Sequence, residues 1–292
     1  IRHPAAAERL LNPEDASGAP IQLVGLGARD QHWEMRVRTL PGGHRIVHLG
    51  DRTGSHAADR IRVDFVANAS HELRTPLASI LGFIETLEDA ADDPETRTRF
   101  LRVMDNEARR MQRLIDDLMS LSRIEAEKYR APDDSVDLPE LIDEVHGELA
   151  ALSPDRAADI VIHGEPVAAV RGDRVQLSQL LHNIIGNAIK YGRAGTAVSV
   201  WLRGASGSMV RLSVIDESEG IAPEHLPRLT ERFYRVASSR SRAAGGTGLG
   251  LAIVKHIVER HRGRLDIAST VGAGTTVTIL LPTAPHPGAL SS

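Results

Sequence analysis

The sequence predicts a multidomain chain of three unlike parts: a β-rich segment, a long α-helical hairpin that dimerises into a four-helix bundle, and an α/β sandwich. Three observations carry this. Apolar residues alternate with period two in the first fifty residues. They recur every three or four residues from about Asp59 to Ser122, and helix-like and strand-like stretches interleave after Ala131-Pro132. The boundaries expected are 1–57, 58–131, 132–285 and a tail at 286–292 rich in Pro, Ala and Ser.

Composition narrows the classes. With 292 residues, 41% hydrophobic and 25% charged, the chain has material for two or three small domains. Its net charge of −4 gives no basic field to hold a polynucleotide, so no nucleic-acid partner is expected. There is no cysteine, which removes disulfides and thiolate metal sites. No apolar run approaches the roughly 18 residues of a membrane span, so no membrane contact is expected here and a cytoplasmic location follows. The chain starts at Ile1 rather than Met, which reads as an excised fragment whose full-length parent is anchored upstream, in the inner membrane.

The first part holds W-E-M-R-V-R-T-L, Trp33 to Leu40, then P-G-G and R-I-V-H-L: strand, turn and strand. In the second, Val66, Ala69, Leu73, Leu77, Ile80, Ile84 and Leu87 form one seam. After a polar break, Pro94 suits the first turn of a second helix, with a seam through Phe100, Met104, Ala108, Met111, Ile115, Leu118 and Ser122. One hairpin leaves an apolar stripe uncovered, and a second copy buries it. In the third part, helices near Leu138–Leu152 and Asp173–Tyr191 interleave with strands D-I-V-I-H, A-V-S-V-W-L, M-V-R-L-S-V-I-D, R-L-D-I-A-S and T-T-V-T-I-L-L.

Four constellations carry chemistry. The first is S-H-E-L-R-T-P-L, Ser70 to Leu77. At about 100° per residue, His71 lies roughly 200° from both Ala69 and Leu73, so it faces away from the seam. A core histidine is therefore the weaker alternative. Glu72 beside it can hold one ring N–H and leave the other nitrogen as a nucleophile, with Thr75 one turn on. Pro76 cannot donate to the Glu72 carbonyl, so a bend is expected there. A solvated charged patch beside a tolerated proline accounts for the same residues.

The second is Q-L-L-H-N-I-I-G-N-A-I-K-Y, in which Asn183, Asn187 and Lys190 gather within about 60° on the polar edge of an amphipathic helix. Two amides and an ammonium suit a phosphate chain with its Mg²⁺, although many helices carry such an edge. The third is D-E-S-E-G-I, Asp216 to Ile221, a carboxylate at a strand end that can accept a purine amine, or an ordinary acidic turn. The fourth is G-G-T-G-L-G-L-A-I-V, a glycine-rich helix start that follows Arg235, Arg240 and Arg242; it suits anions but lacks the G-x-x-x-x-G-K of a P-loop.

Taken in order, these segments resemble the sensor histidine kinases of two-component signalling. S-H-E-L-R-T-P-L is similar to their H-box, H-N-I-I-G-N-A-I-K-Y to the N-box, D-E-S-E-G-I to the first glycine box, E-R-F-Y-R to the F-box and G-T-G-L-G-L to the second glycine box. The resemblance covers about Asp59 to Pro282, and D-F-V-A-N-A-S-H-E-L-R-T-P-L most resembles the phosphate-regulon sensor subgroup. It implies a Bergerat-type ATP-binding domain, autophosphorylation of His71 from ATP, and transfer to an aspartate of a response regulator receiver domain by a homodimer. Glu72 would be the acid or base, and Thr75 would position water when the regulator is dephosphorylated. Asn187 would hold Mg²⁺, with Asn183, Lys190 and Tyr191 lining the nucleotide site. Asp216 and Gly220 would receive adenine and Arg235 would approach the γ-phosphate. Thr247, Gly248, Leu249, Gly250 and Leu251 would cap the triphosphate beneath a lid from about Val236 to Gly246. The linker near Arg130 to Asp137 would let the ATP domain swing.

Two departures matter. The family reads D-x-G-x-G where Ser218 stands at the first glycine. If that position needs positive φ, serine costs about 1 kcal/mol, and Glu217 and Glu219 add negative charge, so weakened ATP binding is expected. The segment ending G-D-R-T looks like the last strands of a PAS domain, about half of one. Rival readings are a regulator phosphatase with a crippled kinase, a non-catalytic dimeric scaffold, and an ATPase of the chaperone or mismatch-repair type, which leaves the histidine hairpin unexplained.

Overall fold

The computed structural model describes residues 3–11, 19–26, 28, 30–89, 93–127, 129–236 and 246–284. Residues 237–245 of the lid expected from about Val236 to Gly246, and the tail (286–292), lie outside these residues. Two compact units divide between His71 and Glu72.

In the first unit, helix α1 (Pro4–Leu11) packs on an antiparallel sheet of β1 (Ile21–Val24), β2 (His32–Thr39) and β3 (Arg45–Asp51), in that order. The alternation read from the sequence holds: Met35 and Val37 point inward with Leu23 and Ala6. The helix α1 was not expected in a β-rich segment. Helix α2 (Thr53–Asp89) begins six positions before the expected start near Asp59. Its start is local chemistry: the Thr53 N–H donates to Asp51 Oδ1 at 2.8 Å, turning β3 directly into a helix. No apolar period marks residues 54–58, so periodicity could not register that first turn and a half.

In the second unit, α2 continues through Pro76 and is followed by α3 (Pro94–Ala126). Asp93 caps α3, accepting from the N–H groups of Glu95 and Thr96, with Pro94 in the first turn as expected. Stepping back along α2 from Phe83 to Glu72 steps forward along α3 from Phe100 to Arg110, their contact partners, so the helices run antiparallel. Several positions of the seam expected on α3 are exposed in the single chain, as a stripe left for a second copy would be. Ile115 is exposed, as are Ala108 and Ser122, whereas Leu114, Leu121 and Ile124 are buried. These three form a second stripe, on a helix that also packs against the helix α7 described below.

The sandwich places a five-stranded sheet against α4 (Leu138–Leu152), α6 (Arg174–Tyr191) and α7 (Gly250–Arg260), with α5 (Pro154–Ala157) as a single turn. Its strands are β5 (Ile160–Gly164), β7 (Val198–Ala205), β8 (Met209–Asp216), β9 (Arg264–Thr270) and β10 (Gly274–Pro282), ordered β5-β7-β8-β10-β9; only the β5–β7 pair is parallel. The core is aliphatic, with Leu177, Leu181, Ile185, Val198, Val200, Ile253 and Ile257 fully buried. The pair β4 (Ser135–Val136) and β6 (Val170–Arg171), with the Arg171–Asp133 ion pair, fastens most of the expected linker to this domain. The free stretch is therefore shorter than Arg130 to Asp137. No described helix is long and apolar enough to cross a membrane.

Candidate nucleotide site and phosphoacceptor helix

His71 is exposed on α2, as helix phase requires, while Pro76 is buried. Glu72 is held by Arg110 of α3 at 3.1 Å, a partner the sequence did not suggest. Thr75, one turn from His71, is also exposed.

A cavity of about 620 Å³ opens between α6, the end of β8 and the loop before α7, a size within the range of small-molecule sites. Asn183, Asn187, Lys190 and Tyr191 line it from α6, Asp216 and Gly220 from the end of β8 and the turn after it, Arg235 from the segment that ends at Val236, and Thr247, Gly248, Gly250 and Leu251 from the start of α7 and the residues before it. Leu249 is the exception among the expected residues. It is fully buried, and its N–H donates to Thr247 Oγ1, so it shapes the loop from behind.

The end of the cavity at Asp216 is built by backbone. Asp216 Oδ1 accepts from the N–H groups of Ser218 (2.9 Å) and Thr275 (3.3 Å), which fixes the carboxylate and leaves Oδ2 for a ligand amine. Among the described residues only Ser208, Phe233 and Arg262 combine a side chain with positive φ, so Ser218 is unstrained. That removes the backbone-strain argument for a weakened site. The Ser218 hydroxyl instead accepts from the Gly220 N–H at 3.3 Å and pairs with Thr275 Oγ1 at 3.4 Å. The left-handed residue is Gly220 (φ 71°), where a Cβ would stand 2.1 Å from the Thr270 carbonyl oxygen.

The other end is cationic. Burial, then repulsion from Arg235 and Arg113, pulls the Lys190 ammonium down to about 8. Gly246 passes so close that a Cβ there would lie 2.9 Å from Lys190 Nζ, and one on Gly250 would lie 2.8 Å from Asn183 Oδ1. At Gly248 (φ 73°) the chain crosses Phe233 backbone to backbone, and the Phe233 N–H donates to the Gly248 carbonyl at 2.9 Å. The glycines are thus required by close approach as well as by conformation.

Sequence reasoning missed what α3 adds. Arg113, Asp116 and Asp117 also line the cavity, and Asp117 Oδ2 accepts from Thr247 Oγ1 at 2.7 Å; burial pushes the Asp117 carboxyl up, against that hydrogen bond. Nearby, Ser120 donates to Gln179, and Glu125 and Glu127 pair with Arg232 and Arg260. No spacing along the sequence signals these long-range pairs. Tyr234, within E-R-F-Y-R, lines the cavity too and was legible only as part of that motif.

Residues 61–127 match the His Kinase A (phospho-acceptor) domain, and residues 172–285 the Histidine kinase-, DNA gyrase B-, and HSP90-like ATPase domain. The chain is 44% identical over 280 residues to the phosphate regulon sensor protein PhoR of Pseudomonas aeruginosa, covering 95% of this chain and 62% of PhoR. It is 36% identical to the sensor-like histidine kinase SenX3 of Mycolicibacterium smegmatis, covering 92% of this chain and 71% of SenX3. Among solved structures, full-length ShkA in complex with AMPPNP is similar, at 29% identity and a TM-score of 0.54, over 76% of this chain and 46% of ShkA. The chain therefore spans less than two thirds of the length of PhoR.

Proposed function

Because the chain belongs to the sensor histidine kinases of two-component signalling, we propose that it phosphorylates its own His71 from ATP and passes the phosphoryl group to an aspartate of a response regulator. The observation that carries this reading is the convergence of four separated motifs on one cavity, with an amide wall, a cationic end and a fixed carboxylate. ShkA, described with AMPPNP bound, supports a nucleotide there.

The chemistry follows from the residues. Asp216 accepts the purine amine, Gly220 lets the base approach, and Lys190, Arg235 and the N–H groups from Thr247 to Leu251 take the phosphates. The amide oxygens of Asn187 and Asn183 are the hard donors Mg²⁺ prefers, so the site fits that ion, with Asn187 as its protein ligand. When bound, the ion neutralises charge on the phosphate oxygens. The unprotonated nitrogen of His71 attacks the γ-phosphorus; an N–P bond forms as the bond to the bridging oxygen breaks, and the electron pair leaves with ADP. Glu72, oriented by Arg110, takes the remaining ring proton. Transfer to the regulator breaks N–P and forms the acyl phosphate, and Thr75 orients water for the later hydrolysis. An unstrained Ser218 gives no reason to favour a crippled kinase.

The finer assignments rest on the same reading. A homodimer is supported by the apolar residues exposed on α2 and α3, among them Leu77, Leu81, Ile84 and Ile115, which a four-helix bundle would cover. A partial PAS domain is supported by three strands feeding α2 directly, and the boundaries remain 1–57, 58–131, 132–285 and 286–292. The piece belongs in the cytoplasm, with the full-length protein anchored to the inner membrane. Incubation with γ-labelled ATP and Mg²⁺ should yield an acid-labile label that His71→Ala abolishes with its melting temperature unchanged; label persisting elsewhere in that variant sinks the assignment.

A further inference from the structure

Phe233 holds φ 63°, a left-handed conformation that costs a residue with a side chain about 1–2 kcal/mol and persists only where its surroundings over-determine it. On one side it is held by its N–H bond to the Gly248 carbonyl. On the other stands Tyr234, and its surroundings are unusually complete. Its hydroxyl meets His225 Nδ1 at 2.7 Å, the Arg228 guanidinium lies 4.2 Å from its ring centroid, and its N–H donates to the Glu231 carbonyl at 3.3 Å. Arg228 is itself tied to Glu231 at 3.1 Å. The next residue is Arg235, which lines the cavity and lies close enough to Lys190 to depress its ammonium.

We propose that His225 and Arg228, by clamping the hydroxyl and the face of Tyr234, hold the left-handed turn at Phe233 and so aim Arg235 at the phosphate end of the cavity. His225 is then a positioning residue for phosphoryl transfer that acts through Tyr234, touching neither nucleotide nor acceptor. The inference rests on the reading of Arg235 as the γ-phosphate ligand. Its physical basis is that a small misplacement of a charge-stabilising group costs rate far more than ground-state affinity.

The test uses the whole chain and the initial rate of His71 labelling at saturating ATP, with ADP affinity and melting temperature measured alongside. Tyr234→Phe, which removes one hydroxyl and keeps the ring, and His225→Ala should each lower the rate roughly tenfold while ADP affinity stays within about twofold. His225→Asn, which keeps a polar partner for the phenol, should restore part of it. In an Arg235→Ala background the same changes should cause no further loss. If Arg235→Ala alone leaves labelling intact, the γ-phosphate reading falls and the clamp with it. If Arg235→Ala is slow but Tyr234→Phe is not, the clamp alone is overturned. It is equally overturned if the losses multiply in the double variants, or if ADP affinity and melting temperature fall in step with rate, since a merely structural contact behaves that way.

Discussion

Gly220 and Ser218 stand two positions apart in one turn and differ in what they tolerate. A side chain at Gly220 meets both positive φ and a carbonyl oxygen 2.1 Å from its Cβ, so Gly220→Ala should lower nucleotide affinity at least tenfold, read by ATP titration. Ser218 has no such constraint and contributes its hydroxyl to the turn. Ser218→Gly should therefore leave ATP affinity within about threefold and cost about 1 kcal/mol of stability in urea unfolding. A large gain in affinity would revive the reading of a weakened nucleotide site. The D-E-S-E-G-I turn was legible as a site, but the sign of φ at Ser218 was not. It depends on the strand pairing on both sides of the turn, including a bridge between Ser218 and Gly192.

At the scale of elements, α6 and α7 are joined by a histidine that no motif flagged. His261, fully buried at the end of α7, donates from Nδ1 to the Ile257 carbonyl at 2.8 Å and accepts at Nε2 from the Asp173 N–H at 3.0 Å. Asp173 in turn caps α6, the helix that carries Asn183 and Asn187. Both ring nitrogens are used in the neutral form, and burial pushes the imidazole below its ordinary range. The unfolded chain therefore takes up a proton near pH 6.5 that the folded chain refuses, so this contribution is complete above that pH and is lost as pH falls through the lower folded value. Stability in urea should fall from pH 7.5 to 5.5, and His261→Leu should flatten that slope while lowering stability at pH 7.5 by about 1–3 kcal/mol. An unchanged slope would put the sensitivity elsewhere. The helices α4 and α6 and all five sheet strands were readable to within a few residues because each has its own period. Helix α3 is a different case. It carries two apolar stripes, and the three-or-four rule picks either without saying which partner each one meets.

At the scale of the molecule, the exposed apolar side of the hairpin sets an assembly prediction. Leu81 and Ile84 are 51% and 40% exposed. Sedimentation equilibrium should give a dimer for the chain and a monomer for Leu81→Glu/Ile84→Glu, with the sandwich domain melting unchanged; a monomeric unaltered chain would refute the bundle. Polar ties between distant parts are concentrated where α3 meets the sandwich. Asp117 holds Thr247 from 130 positions away, in a segment expected to bind phosphate.

The sequence by itself determined the order of the parts, the outward face of His71, the helices and strands of the sandwich, and a set of candidate nucleotide-site residues of which all but Leu249 line the cavity. These follow from period, turn chemistry and motif, which depend on neighbours along the chain. Only the tertiary structure decided that Ser218 is unstrained, that α3 closes part of the cavity, that most of the linker is fastened to the sandwich, that His225 meets the Tyr234 hydroxyl and that His261 joins α7 to the start of α6. Each of those is a contact between side chains and backbone brought together by packing, and local pattern places no constraint on which distant group a polar side chain will meet.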